Sequence, residues 1–431
     1  MIGDQSIPQF PAKNGKAKTG LLVPQENGIS NALNHRVLDR ELRVLIYSQD
    51  GFGLGHLRRN LNITNQIKKI CPRASVLIVA DSPVAPFFQL PPQCDFIKIP
   101  TMVKVDYGRW ESNRLTMNAS QLIPVRAGMI QSAALSFRPD FMLVDHMPQG
   151  ALGELSGPIK AIRRALPDIK LILGLRDILG DPTDIYTQWK REKAYKLAEK
   201  YYDKILVYGS EDMYPSTKEY QFSDTLNEKA QYCGYVSQGP PTVPFSNRRL
   251  QNLLPKKDVP LILVTGGGGY DAGQFMDVFL NTVRKLKKEI NFKAVVSTGP
   301  FMSPAQIRNL RQKSNELPVW IATLGIDAIH FTQRADLMIS MAGYNTTSEV
   351  MRFRKNAVIV PRRGPSAEQT IRSEIFERRN FASSIHPRDL TADRLTKTIL
   401  ARLESGETIQ EDQLPDLQGA YNAALSILTT P

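Results

Sequence analysis

The chain has 431 residues, of which 42% are hydrophobic and 23% charged. This composition is typical of a soluble globular protein, and the length suits two domains of ordinary size. No apolar run reaches the roughly 20 residues that a membrane-spanning helix needs, and the first residues lack the apolar core of a signal peptide. Three scattered cysteines without CxxC spacing argue against zinc and disulfides and favour a reducing cytoplasm: Cys71, Cys94 and Cys233.

The formal net charge of +13 suits three kinds of partner: nucleic acid, an anionic membrane face, or phosphorylated substrates. Neither zinc-finger spacing nor the aromatic signature of an RNA-binding sheet occurs, so we expect no nucleic-acid partner. We therefore expect a cytoplasmic enzyme that can associate with the inner face of a membrane. The alternative is that the positive charge is spread over solvated helix faces.

The first third of the chain has the pattern of a parallel α/β sheet. After a polar stretch, residues 1–41, that we expect to be poorly ordered, an apolar strand at 43–47 ends in a glycine-rich loop. A helix from about Leu57 to Ile70 and a strand at 75–80 complete a βαβ unit. Further strands are predicted at 141–144, 170–174 and 204–208, with a helix over 184–202 between the last two. Residues 42–240 are thus predicted to form a Rossmann-like domain.

The same pattern then restarts after a break. The stretch from Gln238 is rich in proline and has no periodicity, which predicts a linker over residues 241–258. A strand at 261–265, a glycine run, a helix and a strand at 292–297 follow. Residues 259–405 are predicted to form a second Rossmann-like domain, and a helical tail occupies 406–431. The fold class is α/β, with two doubly wound domains facing each other across a cleft.

The segment from Met341 to Gln369 carries the pattern of a nucleotide-sugar site. Gly343 allows a tight turn, and residues 344–347 would open a helix whose amides and positive dipole end suit a phosphate. Glu349 falls where a carboxylate accepts hydrogen bonds from both ribose hydroxyls. Glu368 and Gln369, after the next strand, could bind sugar hydroxyls. The alternative is an ordinary strand–turn–helix of an α/β domain.

The order Gly-aromatic-Asn-Thr-Thr-x-Glu, followed by a strand ending in Pro and then Glu-Gln, resembles the donor-binding signature of GT-B glycosyltransferases. It is similar to plant and antibiotic UDP-sugar transferases and to the peptidoglycan UDP-N-acetylglucosaminyltransferase group, with its glycosyltransferase family 28 type C-terminal domain. The plant-type pattern has a histidine two residues before the glycine, where this chain has Met341. This difference favours the peptidoglycan type. The resemblance implies that Gly343, Asn345 and Thr346 face the diphosphate. It implies that Glu349 binds ribose and that Glu368 and Gln369 bind the sugar. Tyr344 belongs to the same set of expected donor-binding residues.

A second glycine-rich loop, Asp50 to Arg59, precedes the first predicted helix. The spacing of its glycines, Gly53 and Gly55 among them, does not match a dinucleotide fingerprint. His56 lies where an imidazole can deprotonate an acceptor hydroxyl or bind a phosphate. The alternative is a histidine that caps its helix or lies on the surface.

The loop resembles the Gly-Gly-His loop of the peptidoglycan group. The spacing Gly-x-Gly-His-x-x-Arg, from Gly53 to Arg59, also resembles nucleotide-sugar hydrolases of the same fold, in which the His activates water. The two classes differ in what fills the acceptor side of the cleft.

Asp145 and His146 follow the strand 141–144, at the strand end where open α/β sheets bind ligands. Asp145 could orient His56 or act as the base, or it could be a helix cap or buried structural acid. Arg176 and Asp177 after the next strand carry the same alternatives.

The glycine run after the strand 261–265 favours a backbone nest for phosphate: Gly266, Gly267, Gly268 and Gly269. The absence of GK[ST] excludes a P-loop, and a flexible turn is the alternative. The resemblance implies that this loop contacts the donor and that the region of Ile326 recognises the base.

Three arginines flank the predicted sugar site and could neutralise a diphosphate, although a surface position is the expectation for each: Arg362, Arg363 and Arg372. Neither a DxD motif nor a metal site is evident, and we expect no metal or organic cofactor. We expect the segment Met102 to Arg126 to be an ordinary variable loop. The alternative, implied by the resemblance to a GT-B fold, is that it faces the acceptor with its aromatic and basic residues: Tyr107, Arg109, Trp110 and Arg114.

Together these patterns predict a hexosyltransferase that moves a sugar from a nucleotide diphosphate sugar, UDP-linked by resemblance, to an acceptor hydroxyl. The acceptor is expected to be lipid-linked or another small molecule, and inversion and metal independence are implied by the resemblance, as is packing of the C-terminal tail on the first domain. The alternatives are a nucleotide-sugar hydrolase, an epimerase on the same fold, and a non-catalytic nucleotide-sugar-binding protein.

Overall fold

The computed structural model describes residues 40–431 except 52–53, 107–108, 242–243, 246–247, 257, 326–327 and 365–366. Almost all of the predicted N-terminal tail, as well as Gly53, Tyr107 and Ile326, therefore lies outside the described residues. Within them, two parallel sheets carry helices on both faces, which confirms the predicted α/β class with two doubly wound units.

The first sheet has seven strands among the described residues, in the order β3-β2-β1-β6-β7-β8-β9. β1 runs in register with β2 on one side and β6 on the other. The last five residues of β1 are all buried, as expected for a parallel strand covered on both faces. The strands are β1 (Arg43–Ser48), β2 (Ser75–Ala80), β3 (Cys94–Lys98), β6 (Phe141–Asp145), β7 (Lys170–Arg176), β8 (Lys204–Tyr208) and β9 (Ala230–Tyr232).

Helices and a hairpin complete this N-terminal domain. The segment predicted as a variable loop after Met102 instead contains an antiparallel hairpin, β4 (Met102–Asp106) with β5 (Arg109–Ser112). The helices are α1 (Gly55–Ile70), α2 (Ala119–Phe137), α3 (Ser156–Ala165), α4 (Pro182–Arg191), α5 (Ala194–Tyr201), α6 (Ser216–Glu219) and α7 (Asp224–Lys229).

The helical segment predicted over 184–202 is divided into two helices. The chain forms α4 and α5 there because Lys193 adopts a left-handed conformation, with φ of 57°, between them. Asp181 caps the start of α4 through the backbone N–H groups of Thr183 and Asp184. The break lets Trp189 and Tyr195 meet edge to face, with ring centroids 5.2 Å apart.

The second sheet has six strands among the described residues, in the order β12-β11-β10-β13-β14-β15. Its strands are β10 (Leu261–Thr265), β11 (Lys293–Ser297), β12 (Val319–Ala322), β13 (Leu337–Ser340), β14 (Ala357–Ile359) and β15 (Ser383–Ser384). Its helices, with the short α8 that precedes the sheet, are α8 (Arg248–Gln251), α9 (Gly273–Leu286), α10 (Pro304–Lys313), α11 (Ala328–Arg334), α12 (Tyr344–Arg352), α13 (Glu368–Arg378) and α14 (Ala392–Ser405).

Both sheets reverse their strand order at a central strand. β1 lies between β2 and β6, and β10 lies between β11 and β13. In open α/β sheets, ligands bind outside the carboxyl ends of the strands at such a switch point. The loops after β1 and β6 in the N-terminal domain, and after β10 and β13 in the C-terminal domain, are therefore the positions to examine for a site.

The last helix, α15 (Gly419–Leu428), packs on the N-terminal domain against α1 and β8. Ser426 Oγ accepts a hydrogen bond from Lys204 Nζ at 2.9 Å, and Asn422 Nδ2 donates to Cys233 O at 2.9 Å. Val236 forms an isolated antiparallel bridge with Gln418. The segment that leaves the N-terminal domain and the segment that returns to it therefore lie side by side. Over the part of the chain that the structure describes, no helix is long and apolar enough to cross a membrane.

Candidate active site

One large cleft is lined by residues of both domains. Its volume is about 2720 Å³, several times the 300–1,000 Å³ of a typical small-molecule pocket. The N-terminal wall includes Gly55, His56 and Arg176, and the C-terminal wall includes Gly343 and Glu349. The cleft has room for two substrates side by side.

The loop after β1 is held in place by two carboxylates, the partly buried Asp50 and the buried Asp81. Asp50 accepts the backbone N–H groups of His56 at 2.8 Å and Leu57 at 2.7 Å, so its two oxygens satisfy the start of α1. Asp81, at the end of β2, accepts the N–H groups of Asp50 and Gly51. Gly51 has φ of 55°, a left-handed conformation that favours glycine. These bonds fix the position of His56 at the mouth of the loop.

His56 and Asp145 form a hydrogen-bonded pair. His56 Nδ1 lies 2.8 Å from Asp145 Oδ2, and the Asp145 side chain is fully buried at the end of β6. Arg59 Nη2 lies 2.8 Å from both carboxylate oxygens and from the same ring nitrogen. Because an ionised carboxylate oxygen can only accept, we assign the imidazole proton to Nδ1, which donates to Asp145. Arg59 then donates to the carboxylate alone, and the Nε2 lone pair is left for a substrate.

The charges around this pair favour a neutral imidazole beside an ionised carboxylate. Burial lowers the pKa of His56 below its ordinary value, although Asp145 acts to raise it. Burial acts to raise the pKa of Asp145, but Arg59 and His56 outweigh it and hold that pKa well below its usual range. Burial and the charges of Asp81 and Asp145 raise the pKa of Asp50 to about 8. A neutral His56 next to an anionic Asp145 is the arrangement of a general base.

His146 adds a second imidazole to the cleft. Its ring centroid lies 5.1 Å from that of His56, and its backbone φ is 79°, which is unusual for a residue with a side chain. Burial and the nearby Arg176 lower the pKa of His146 well below its ordinary value. Its Nδ1 is buried and has no hydrogen-bond partner among the described residues.

The start of α12 faces the loop that carries His56. Gly343 is the N-cap and supplies no side-chain cap, so the first-turn N–H groups of the helix are not satisfied by a cap. Asn345 Nδ2 donates to Gly55 O at 3.2 Å, which places this positive helix end directly against the glycine loop of the other domain. Thr346, in the same turn, is 9% exposed.

Tyr344 is placed differently from its neighbours. Its side chain is buried, and its hydroxyl accepts the backbone N–H of Val236 at 2.9 Å. The guanidinium carbons of Arg59 and Arg372 lie 5.3 Å and 5.8 Å from the centre of its ring. The tyrosine side chain thus joins the two domains, and only its backbone is available for a contact with the diphosphate.

Glu349 is already paired across the cleft. Its Oε1 accepts a hydrogen bond from Arg58 Nη2 at 2.5 Å, and the Glu349 side chain is 8% exposed. Arg58 also donates to Gln238 Oε1 at 3.1 Å.

Glu368 lies in a buried group of charges that spans the domain boundary. Its oxygens accept from Arg176 Nη1 at 2.7 Å and from Arg372 Nη1 at 2.8 Å. Arg372 also donates to Asp177 Oδ1 at 2.7 Å and to Ala342 O at 2.9 Å. Although burial favours its protonation, the two arginines hold the pKa of Glu368 below its ordinary value. The expectation of a surface position is wrong for Arg372, which is 1% exposed because it bridges two buried carboxylates.

Gln369 and the other two arginines lie nearer the opening. Gln369 Oε1 accepts the backbone N–H of Arg362 at 3.0 Å, which fixes its amide beside the loop after β14. Arg362 pairs with Asp271 at 3.0 Å, with both side chains partly exposed. Arg363 donates to Pro387 O. Of these two arginines, Arg362 lies nearer the glycine run, because its partner Asp271 belongs to the segment that follows that run. It is therefore the better placed of the two to contact a diphosphate.

The glycine run after β10 is a tight turn with one open face. A Cβ on Gly269, which has φ of 89°, would lie 1.8 Å from Thr298 O, and one on Gly266 would lie 2.2 Å from Ala272 Cβ. Gly267 has φ of 64° and open space around it. Its N–H donates to Thr265 Oγ1, and that of Gly269 donates to Gly266 O. Two amides of the predicted phosphate nest are therefore used within the protein, while Gly268 lines the cleft with the others.

Sequence reasoning missed the contribution of several charged residues. Asp50 and Arg58 lie in the glycine-rich loop, but the sequence assigned no role to either of them. Arg372 was expected at the surface. The spacing of Glu368 and Arg372, four residues apart on one helix, was the available signal for their ion pair. A pairing between domains has no such signal, because its partners are far apart in sequence.

Comparisons with known proteins agree with this architecture. Residues 261–424 match the sequence model of the glycosyltransferase family 28 C-terminal domain. A comparison with curated protein sequences finds no match.

Solved structures resemble the whole chain. The glycotransferase of kitacinnamycin superposes with a TM-score of 0.61 at 14% identity, covering 91% of this chain and 99% of its own. Acinetobacter baumannii MurG gives 0.52 at 14% identity, covering 90% and 97%. A Listeria monocytogenes protein described as a UDP-N-acetylglucosamine 2-epimerase gives 0.55 at 14% identity, covering 89% and 91%. At these identities the likeness shows the fold alone.

The chain therefore has the two-domain GT-B fold, and its residues 261–424 match the glycosyltransferase family 28 C-terminal domain.

Proposed function

We propose that this glycosyltransferase moves a sugar from a nucleotide diphosphate sugar, UDP-linked by resemblance, to an acceptor hydroxyl. The observation that carries the proposal is the placement of the His56–Asp145 pair opposite the uncapped start of α12. A general base and an anion-binding helix end then lie on opposite walls of one cleft. The acceptor lies on the N-terminal side and the donor on the C-terminal side.

The donor site follows from the C-terminal wall. The first-turn N–H groups of α12 would hold the diphosphate, and the open space at Gly267 would leave room for it. Glu349 would bind the ribose hydroxyls. Gln369 offers its amide to the sugar. Glu368 acts differently, because its oxygens are held by Arg176 and Arg372. In the proposal it positions the arginines around the sugar pocket.

The reaction is a displacement at the anomeric carbon. His56 Nε2 takes the proton of the acceptor hydroxyl, and Asp145 stabilises the imidazolium that forms. The acceptor oxygen forms a bond to the anomeric carbon while the bond to the diphosphate oxygen breaks, and its electron pair leaves with the diphosphate. The α12 end stabilises that charge. Direct attack inverts the anomeric configuration. Neither a metal ion nor an organic cofactor takes part in this proposal.

Hydrolysis is the second candidate, and one contact favours it. Arg59, the last residue of the Gly-x-Gly-His-x-x-Arg spacing, is fully buried and donates to the Asp145 carboxylate that holds His56. The same His–Asp–Arg group would activate a water molecule as readily as a hydroxyl. An epimerase would return a changed sugar that is still nucleotide-linked, and a non-catalytic binding protein would have no use for the pair.

The test is nucleotide release by the purified chain from UDP-, GDP- and dTDP-sugars, with and without a lipid extract. Transfer predicts release that requires the extract and yields a sugar-labelled lipid, whereas hydrolysis predicts release in buffer alone with oxygen from labelled water in the sugar. Glu349→Ala and His56→Ala should both abolish release. Absence of both binding and release with every donor would refute the donor site. A membrane-associated site of action is part of the proposal and is tested by flotation with anionic vesicles.

A further inference from the structure

Arg58 is hydrogen-bonded to the carboxylate of Glu349, which the proposed donor site uses to bind ribose. Arg58 lies in the first turn of α1, in the N-terminal domain, and its Nη2 donates to Glu349 Oε1 at 2.5 Å and to Gln238 Oε1 at 3.1 Å. The Arg58 side chain is 28% exposed and that of Glu349 is 8% exposed. The ion pair thus closes the cleft side of a nearly buried carboxylate with a cation from the opposite domain.

Ribose and Arg58 compete for the same oxygens. A carboxylate that binds two vicinal hydroxyls uses both of its oxygens as acceptors, because each hydroxyl donates one proton. In this structure Oε1 already accepts from the guanidinium. Each carboxylate oxygen could accept a second hydrogen bond, but the Glu349 side chain is only 8% exposed and the Arg58 guanidinium covers its cleft side. A nucleoside whose ribose reaches both oxygens therefore displaces Arg58 from Glu349, and the guanidinium then needs a new anionic partner.

The diphosphate site lies within one helical turn of Arg58. Asn345 and Glu349 are four residues apart on α12, so they lie on the same face with Cβ atoms about 5–6 Å apart. Asn345 contacts Gly55 O, three residues before Arg58, so the first turns of α1 and α12 touch at this point. A guanidinium donates through a planar fork that matches two phosphate oxygens.

We propose that Arg58 is a donor-binding residue supplied by the N-terminal domain, which exchanges Glu349 for the donor's diphosphate when ribose takes the carboxylate. The inference rests on the proposed function. It makes nucleotide binding selective for the diphosphate, since a nucleoside alone separates the ion pair and leaves Arg58 without an anion. A nucleoside diphosphate supplies the replacement and links the two domains through one ligand.

Calorimetric titration with uridine and with UDP tests the exchange. Arg58→Met removes the charge and keeps the aliphatic stem. In this variant uridine should bind about threefold more tightly, because Glu349 is released, and UDP about tenfold more weakly, because a charged contact is lost. Arg58→Lys keeps the charge without the fork and should give a UDP affinity between those of wild type and Arg58→Met. Arg73→Met removes an arginine from an exposed ion pair with Glu41 and should change neither affinity.

The outcomes separate the two proposals. Parallel changes in uridine and UDP affinity, or no change in either, would overturn the exchange while leaving the donor site in place. Wild-type protein that binds neither uridine nor UDP would refute the uridine diphosphate donor itself, and the exchange with it. Thermal melting shows whether Arg58→Met is folded; if it is not, the UDP-to-uridine affinity ratio of Arg58→Lys decides, with about a threefold fall expected.

Discussion

Arg372 of the C-terminal domain and Asp177 of the N-terminal domain form an ion pair of 2.7 Å in which each side chain is at most 2% exposed. Arg372 therefore carries charge across the domain boundary in a place that water does not reach. Removing one partner leaves the other charge buried and unpaired, which costs more than the pair contributes.

Arg372→Met should accordingly destabilise the protein by about 3–5 kcal/mol. The measurement is the midpoint of urea unfolding followed by intrinsic fluorescence. Lys313→Met is the control, because it removes one member of a partly exposed pair with Asp277 and should cost less than about 1 kcal/mol. Equal shifts for the two variants would contradict a special role for the buried pair.

His56→Gln should lower kcat by about 10²–10⁴-fold with little change in the donor KM. The reason is that His56 lies on the N-terminal wall of the cleft, while the proposed donor groups other than Arg58 belong to the C-terminal domain. Steady-state kinetics with the donor identified by nucleotide release gives both constants. His386→Gln, at an exposed histidine, is the matched control. A variant that raises donor KM and leaves kcat intact would place His56 in binding rather than catalysis.

The pH profile should show a base that stays active in mild acid. Burial lowers the pKa of His56, so the imidazole remains neutral below its ordinary titration range and kcat/KM should fall only below about pH 6.5. Asp145 acts to raise that pKa, so Asp145→Asn should move the acid limb to still lower pH while reducing kcat. A shift of the acid limb to higher pH in Asp145→Asn would contradict the proposed interaction between Asp145 and His56.

Glu349 and Glu368 should respond differently to the same change. Glu349→Gln should raise the donor KM by about tenfold or more, because a charged acceptor for ribose is lost. Glu368→Gln should instead lower the free energy of unfolding by about 1–3 kcal/mol, since Glu368 holds two arginines. Donor titration and urea unfolding of both variants provide the comparison. If Glu368→Gln affects only the KM, its role is direct contact with the sugar.

Asp50 should make the stability depend on pH. Its pKa is about 8 in the folded chain against an ordinary 3.8, so its contribution favours folding most at pH values below the ordinary pKa and is lost as the pH rises through 8. Asp50→Asn keeps an acceptor for the start of α1 and should flatten the fall in stability between about pH 4 and pH 8. Unfolding midpoints across that range measure it, with the exposed Asp168→Asn as a control that should retain the wild-type slope.

The fold was predictable where burial leaves a continuous apolar run. The strands at 75–80, 204–208 and 261–265 match the predicted bounds residue for residue, since strands covered on both faces admit few polar residues. The break at Lys193 was not predictable, because no glycine or proline at that position marks its left-handed conformation.

The residues on each wall of the cleft were predictable from sequence, but the contacts between the two walls were not. Sequence patterns singled out His56 on one side and Glu349 on the other, each from its neighbours in the chain. The ion pair between Arg58 and Glu349 joins residues 291 positions apart, and charge on a single arginine does not reveal its partner. The roles assigned to these residues remain predictions that the experiments above can decide.

The position of α15 has a consequence for how the chain is made. Gly419–Leu428 covers α1 and β8, which belong to the first domain to be synthesised. A ribosome therefore produces the whole C-terminal domain before the piece that completes the N-terminal one, so apolar surface on α1 stays exposed until synthesis is nearly finished. A truncation that removes only the last helix should destabilise the N-terminal domain, although that domain lies far from the helix in sequence. During translation, the uncovered apolar surface of α1 would be available to a chaperone.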